Sequence, residues 1–191
     1  MTQDIKQSLD VLNDIMANVS ASYAVWRELT DAVNRKNYEE IKSIYEGFFI
    51  TIDYSNFAMI INGLNMLFEN NSKTHNLRAS LNYAKKICER LDENRIDQWL
   101  SQIDSWSPTT KKIIILRSNI FSHRGGKGTS NSFMKKAAIT PNEIEPLISN
   151  TEYLLKEITE TMTTTLIFSY TRDETKASTQ DVMSALMAAN D

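Results

Sequence analysis

Between residues 5 and 33, apolar side chains return every three or four positions: Ile5, Leu9, Leu12, Met16, Val19, Tyr23, Trp26 and Val33, with Thr30 alone breaking the series at its expected place. That spacing lines them along one side of an α-helix, a stripe that other helices must cover. The pattern predicts a single helix from about residue 4 to residue 36. Little downstream interrupts helical structure. The chain has only five glycines and three prolines, and those present stand mostly where the periodicity places helix ends.

A second apolar segment, residues 38–70, spreads Ile41, Ile44, Phe48, Phe49, Ile52, Phe57, Ile60, Leu64 and Leu67 around most of a helical circumference. Such a helix is central. Gly47 and Gly63 inside it mark close helix crossings or a bend. Residues 77–91 and 96–106 predict two shorter helices, and Ser107-Pro108 opens the next one with a hydroxyl N-cap and a proline at the first helical position. Thr140-Pro141-Asn142-Glu143 has the form of a capping box that starts a long last core helix, reaching about residue 170 and needing a local bend at Pro146. The expected fold is all-α, an up-and-down bundle of about five to seven helices forming one domain over residues 1–170. Residues 171–191 are a polar tail, either a short helix that docks on a partner or a disordered end.

Composition excludes several function classes. A single cysteine, Cys88, forms no internal disulfide and seeds no metal cluster; its spacing from Leu81 and Ala84 makes it a core residue. No apolar run approaches the roughly 18 residues that span a bilayer, and no secretory signal is visible, so the expectation is a soluble, cytoplasmic protein with no membrane partner. His75 lies in a polar turn with no charged pair beside it and is expected to be a solvated turn residue. The acids at Glu89, Asp92, Glu93 and Asp97 form a solvated corner, with no second carboxylate cluster to complete a hydrolytic or metal site.

Chemistry concentrates elsewhere. Residues 117–123, Arg-Ser-Asn-Ile-Phe-Ser-His, set a guanidinium, an amide, two hydroxyls and an imidazole within two helical turns, and the helix carrying them is expected to close at Gly125-Gly126. His123 then sits in the last turn, where the carbonyl end of the helix favours the imidazolium by about 0.3–1 kcal/mol and holds a proton carrier near neutral pH. Residues 105–142 contain no Asp or Glu but carry Lys111, Lys112, Arg117, Arg124, Lys127, Lys135 and Lys136; the whole chain has net charge −3. A basic island on an acidic chain is a footprint for a phosphate-bearing ligand. Gly125, Gly126 and Gly128 fall in the same island, within residues 124–139, which are expected to form a mobile loop over the motif. Asn119 and His123 are four apart and share a face, whereas Arg117 projects from the flank, so the site is completed most easily if a second copy of the helix packs across a two-fold axis.

Residues 113–124, Ile-Ile-Ile-Leu-Arg-Ser-Asn-Ile-Phe-Ser-His-Arg, resemble the signature of the HEPN superfamily (higher eukaryotes and prokaryotes nucleotide-binding): an Arg, four to six residues, and a His. The Gly/Lys loop followed by Thr-Pro-Asn-Glu-Ile-Glu-Pro-Leu is similar to the abortive-infection U-type branch. The resemblance implies a helical domain that dimerises through the motif helix and, in active members, a metal-independent endoribonuclease of phage defence or of toxin–antitoxin systems. It implies no cofactor, and RNA as the partner. Arg117 would hold the scissile phosphate, His123 would act as general acid or base, and Arg124, Lys127, Lys111 and Lys112 would bind the RNA backbone. The family often has Asn, Asp or His directly after the Arg; here Ser118 stands there and Asn119 follows, so the supporting polar role is open between the two. Enzymes of this kind are commonly restrained by an antitoxin protein or by their own dimer geometry. The alternative is a catalytically inactive HEPN scaffold that binds nucleotide, RNA or a protein, with Arg117 in a salt bridge and His123 capping its helix.

Overall fold

A computed structural model describes residues 3–71, 73–87, 92–122, 134–135, 137–162 and 172–189, with backbone alone at 3, 4, 32, 33, 35 and 119–122. The helices are α1 (Gln3–Thr30), α2 (Ala32–Asn37), α3 (Glu39–Ile44), α4 (Glu46–Phe68), α5 (Leu77–Ile87), α6 (Glu93–Ser105), α7 (Ser107–Ser122), α8 (Pro141–Met162) and α9 (Arg172–Ala188). The fold is all-α, with no strand among the described residues. Cys88 and the ends predicted near residues 91 and 170 lie outside the described residues.

The stripe on α1 does what its spacing requires. Leu12, Met16, Val19 and Trp26 are buried against Phe57, Ile60, Ile61, Leu64 and Leu67 of α4, with Leu154, Leu155 and Ile158 of α8 closing the other side. Each such side chain contributes about 1.5–3 kcal/mol on leaving water. Trp26 also donates its indole N–H to Asp53 Oδ1 at 3.0 Å and lies against Phe57 with ring centroids 5.5 Å apart. Gly63 is the point of closest approach: a Cβ there would overlap Val19 Cγ2. Gly47, by contrast, has no neighbour within 4 Å of its Cβ position, so only Gly63 marks a close crossing.

The first two long predicted helices are interrupted. The first ends at Thr30, whose hydroxyl donates back to the Trp26 carbonyl at 2.7 Å, and the chain bends at Asp31 before α2. A hydroxyl bonding to its own preceding turn competes with the helix ladder. The Lys42 ammonium then contacts the Leu29 carbonyl at the exposed end of α1. The second is divided at Tyr45, which closes α3 through its N–H to the Ile41 carbonyl (3.1 Å) and opens α4 by accepting from Phe48 and Phe49 N–H. These breaks fold Tyr38, Ile41 and Phe49 back onto Leu29 as a second, smaller core. Nor is α4 buried all round, since Phe48, Met59 and Met66 face outward.

Met183 of α9 completes that smaller core, with Leu186 and Met187 packed beside it, so the tail helix docks on its own chain. Its first turn is held by Arg172, which donates to both Glu152 carboxylate oxygens (3.2 and 2.5 Å) and to Ser149 Oγ (2.8 Å). Planar two-point pairing of this kind fixes geometry as well as charge.

The end of the stretch expected to be a mobile loop is anchored. Met134, Ala137 and Ile139 are buried, and a Schellman turn forms: Ile139 N–H reaches the Met134 carbonyl (3.1 Å) and Ala138 N–H the Lys135 carbonyl (3.2 Å). Ala138 occupies the left-handed position, with φ 50°. An L side chain there costs about 1–2 kcal/mol. Ala138→Gly is therefore expected to stabilise the protein by about 1 kcal/mol, raising Tm by roughly 2–4 °C after the added freedom of the unfolded chain is counted. Thermal unfolding followed by circular dichroism checks this, and a lowered Tm would show that the left-handed turn is absent.

The Glu143 half of the capping box forms at the start of α8. Glu143 Oε2 accepts from the Thr140 backbone N–H at 2.9 Å and from its hydroxyl at 3.1 Å. The helix runs through Pro146.

Candidate active site on helix α7

One residue, Trp106, turns α6 into α7. Its carbonyl accepts the N–H groups of Thr109 and Thr110, both at 3.0 Å, and its ring meets Phe68 edge-on at 5.9 Å. Ile113 and Leu116, three apart and buried, then lock the rotation of α7 against the bundle. With that register set, helical geometry turns Lys111, Ile114, Ile115 and Ser118 outward and puts Arg117 on the shoulder of the same exposed side.

The structure thus brings Lys111, Arg117 and Ser118 to one solvent-facing surface of α7. The Ser118 hydroxyl donates to the Ile114 carbonyl at 3.0 Å, leaving its oxygen able to accept. Asn119 lies on the next step of α7 by its backbone, while its side chain is outside the described residues. His123, Arg124 and Lys127 lie outside the described residues as well. Two exposed apolar side chains, Ile114 and Ile115, are interleaved with these polar groups.

Lys112 is engaged elsewhere. Its ammonium pairs with Glu143 Oε1 at 2.5 Å, both side chains being about two-thirds covered. The acid-free run of the sequence ends one residue before Glu143, and no signal along the chain announces a contact across 31 positions. Only the packing of α7 beside the start of α8 brings them together. The Lys112 ammonium, reinforced by Thr140, holds the Glu143 carboxyl below its ordinary value of 4.5, against a smaller opposing effect of burial. A carboxyl lowered in the folded state contributes stability that is present at neutral pH and lost as pH falls below about 4.5 through the folded value. Lys112→Met is expected to lose less stability than the parent between pH 7 and pH 3.5 in urea titrations, because part of that linkage is gone. Equal losses would remove the pair from the acid response.

His75 is exposed, as a turn residue should be, yet its Nδ1 lies 3.1 Å from Ser8 Oγ, which contacts Ser80 Oγ at 2.6 Å. In the acidic corner, Lys85 pairs with Asp97 at 2.7 Å and Asp92 caps α6 by accepting from Asn94 N–H at 2.9 Å. No described helix is long and apolar enough to cross a membrane.

A family model for HEPN proteins of the AbiU2 type matches residues 5–185, from the start of α1 into the last turn of α9. The chain belongs to the HEPN superfamily, in its abortive-infection U-type branch. Neither the curated proteins nor the solved structures yielded a match. In this HEPN chain Arg117 is exposed on the shoulder of α7, in a helix register that the buried Ile113 and Leu116 impose.

Proposed function

We propose that this HEPN protein is a metal-independent endoribonuclease of phage defence or of a toxin–antitoxin pair, acting as a homodimer in the cytoplasm. The observation that carries this is the exposed Arg117 on α7, inside a stretch free of acidic residues, in a chain of HEPN type. In the reaction the ribose 2′-oxygen attacks the adjacent phosphorus and the bond to the 5′-oxygen breaks, leaving a 2′,3′-cyclic phosphate and a 5′-hydroxyl. Arg117 binds the phosphate and its developing charge, and His123 serves as general acid or base for the protons at the 2′- and 5′-oxygens. Ser118 or Asn119 supports the arginine. Lys111, Arg124 and Lys127 contact the RNA backbone; Lys112 joins them only by leaving Glu143.

Ile114 and Ile115 support a dimer through α7, since they leave an apolar surface beside Arg117 that a second copy would cover. An antitoxin protein that occupies the same surface would restrain the enzyme. The second reading, an inactive RNA- or protein-binding scaffold, is favoured by one observation: the residue after the arginine is Ser118, with its hydroxyl proton directed into its own helix.

Total RNA incubated with the protein in excess EDTA separates the two. Cleavage to cyclic-phosphate ends, abolished by a 2′-deoxy substitution at the cut site, is the expected result. Intact RNA leaves the scaffold; there, retention that weakens steeply with salt still marks phosphate contacts, and salt-insensitive behaviour removes RNA altogether.

A further inference from the structure

Along α4, Ile50, Tyr54, Ile61 and Phe68 fall within about 40° of one another round the helix and so form one row. Phe68 closes the row against Trp106, where α7 begins, and Ile61 is fully buried. From that point α7 packs along α4 and returns antiparallel to it, placing Ile113 and Leu116 in one core with Ile61 and Phe57. Toward the start of α4 the same row is open to solvent: Tyr54 is 42% exposed and Ile50 60%.

Tyr54 and Arg117 share this flank. Arg117 stands eleven residues beyond Trp106 and Tyr54 fourteen before Phe68, about 17 and 21 Å along the two axes, so they are level to within about one helical turn. Rotation puts them on the same side. Both α1 and α7 pack on α4 and on α8, and Lys112 marks the α8 side of α7 by reaching Glu143. Arg117, five residues on, is turned about 140° from Lys112, away from α8 and over the outer edge of α4.

The surface between them suits a nucleic acid. Residues 54–68 contain no Asp, Glu, Lys or Arg, and the neighbouring Asp53 is turned to the α1 side, where it accepts from the Trp26 indole. No carboxylate of this α4 stretch therefore repels a phosphate held at Arg117. An exposed phenol ring offers a flat face on which a base of any identity stacks. We propose that Tyr54 stacks on the nucleobase next to the phosphate bound by Arg117, with Ile50 extending the apolar floor toward the start of α4. The place of that phosphate rests on the nuclease reading, whereas stacking itself needs no cleavage.

Two measurements on the full chain test this. In cleavage of single-stranded RNA, Tyr54→Leu, which keeps an apolar side chain but removes the ring, is expected to raise KM by about tenfold with kcat little changed, and Tyr54→Phe to stay within about twofold of the parent. In the His123→Ala background, which holds RNA uncut, an oligouridine carrying one 2-aminopurine should lose fluorescence on binding, because stacking quenches that base, and Tyr54→Leu should abolish the loss. Quenching and KM unchanged in Tyr54→Leu overturn the assignment and leave the nuclease reading standing. A Tyr54→Leu protein that runs as a monomer in size-exclusion chromatography beside a dimeric parent overturns it too, giving the ring to a subunit contact. An inert parent that still quenches through Tyr54 sinks the nuclease reading and keeps the stacking, and RNA that is neither bound nor cut removes both.

Discussion

Arg117→Ala is expected to slow RNA cleavage by about 10²–10³-fold and His123→Ala by about 10²–10⁴-fold, the usual cost of removing a charge-stabilising donor or a proton carrier. Thermal stability should barely change for Arg117→Ala, because the side chain is exposed. Arg117→Lys keeps the charge but loses the planar fork that grips two phosphate oxygens, so it is expected to recover only part of the rate. Mixing the two inactive variants provides the sharper measurement. If each site takes its arginine from one protomer and its histidine from the other, a mixed dimer contains one site with both groups intact. Statistical exchange of equal amounts makes half the dimers mixed, so activity should return to about a quarter of the parental value. Mixtures that stay inactive after exchange put both residues of a site on one chain, and full activity in either single variant removes that residue from the chemistry.

The second large effect concerns the crossing of α1 and α4. Gly63→Val is expected to destabilise the protein by about 3 kcal/mol or more, lowering Tm by roughly 6–12 °C. On an exposed helix, Gly63→Ala would gain about 1 kcal/mol from propensity alone. Here the added methyl overlaps Val19 Cγ2 and stands 3.5 Å from Ile15 Cγ2. Val19 is fully buried and β-branched, so its χ1 has little freedom inside a helix and the clash is relieved only by moving α1. Net destabilisation by about 1–2 kcal/mol is expected for Gly63→Ala. Combining it with Val19→Ala should cost less than the sum of the single changes, by more than about 0.5 kcal/mol, since the two side chains compete for one space. A Gly63→Ala protein as stable as the parent, measured by denaturant unfolding, would mean that the helices do not approach this closely.

Much of the architecture was written along the chain. The stripe from Ile5 to Trp26, the Thr140–Glu143 box and the apolar spacing of α8 are local periodicities and local hydrogen bonds, so helix existence and facing could be inferred before any coordinates. Interruptions were harder. Nothing in composition distinguishes Thr30 continuing a helix from Thr30 bonding backward to Trp26, and the choice is made by Tyr38, Ile41 and Met183 folding onto Leu29. Ala138 shows the same limit, because a left-handed turn without glycine is recognisable only once Met134 and Ile139 are seen to be buried.

For the candidate site, the sequence by itself determined the family, the motif Arg117 to His123, and the basic stretch around them, because these depend on residue identity and spacing within one helix. Tertiary structure alone decided that Ile113 and Leu116 turn inward and leave Arg117 at the surface, and that Lys112 is paired with Glu143. The physical reason is the range of the interactions: helix periodicity is settled within a few residues, whereas burial and ion pairing depend on which surfaces the completed bundle brings together.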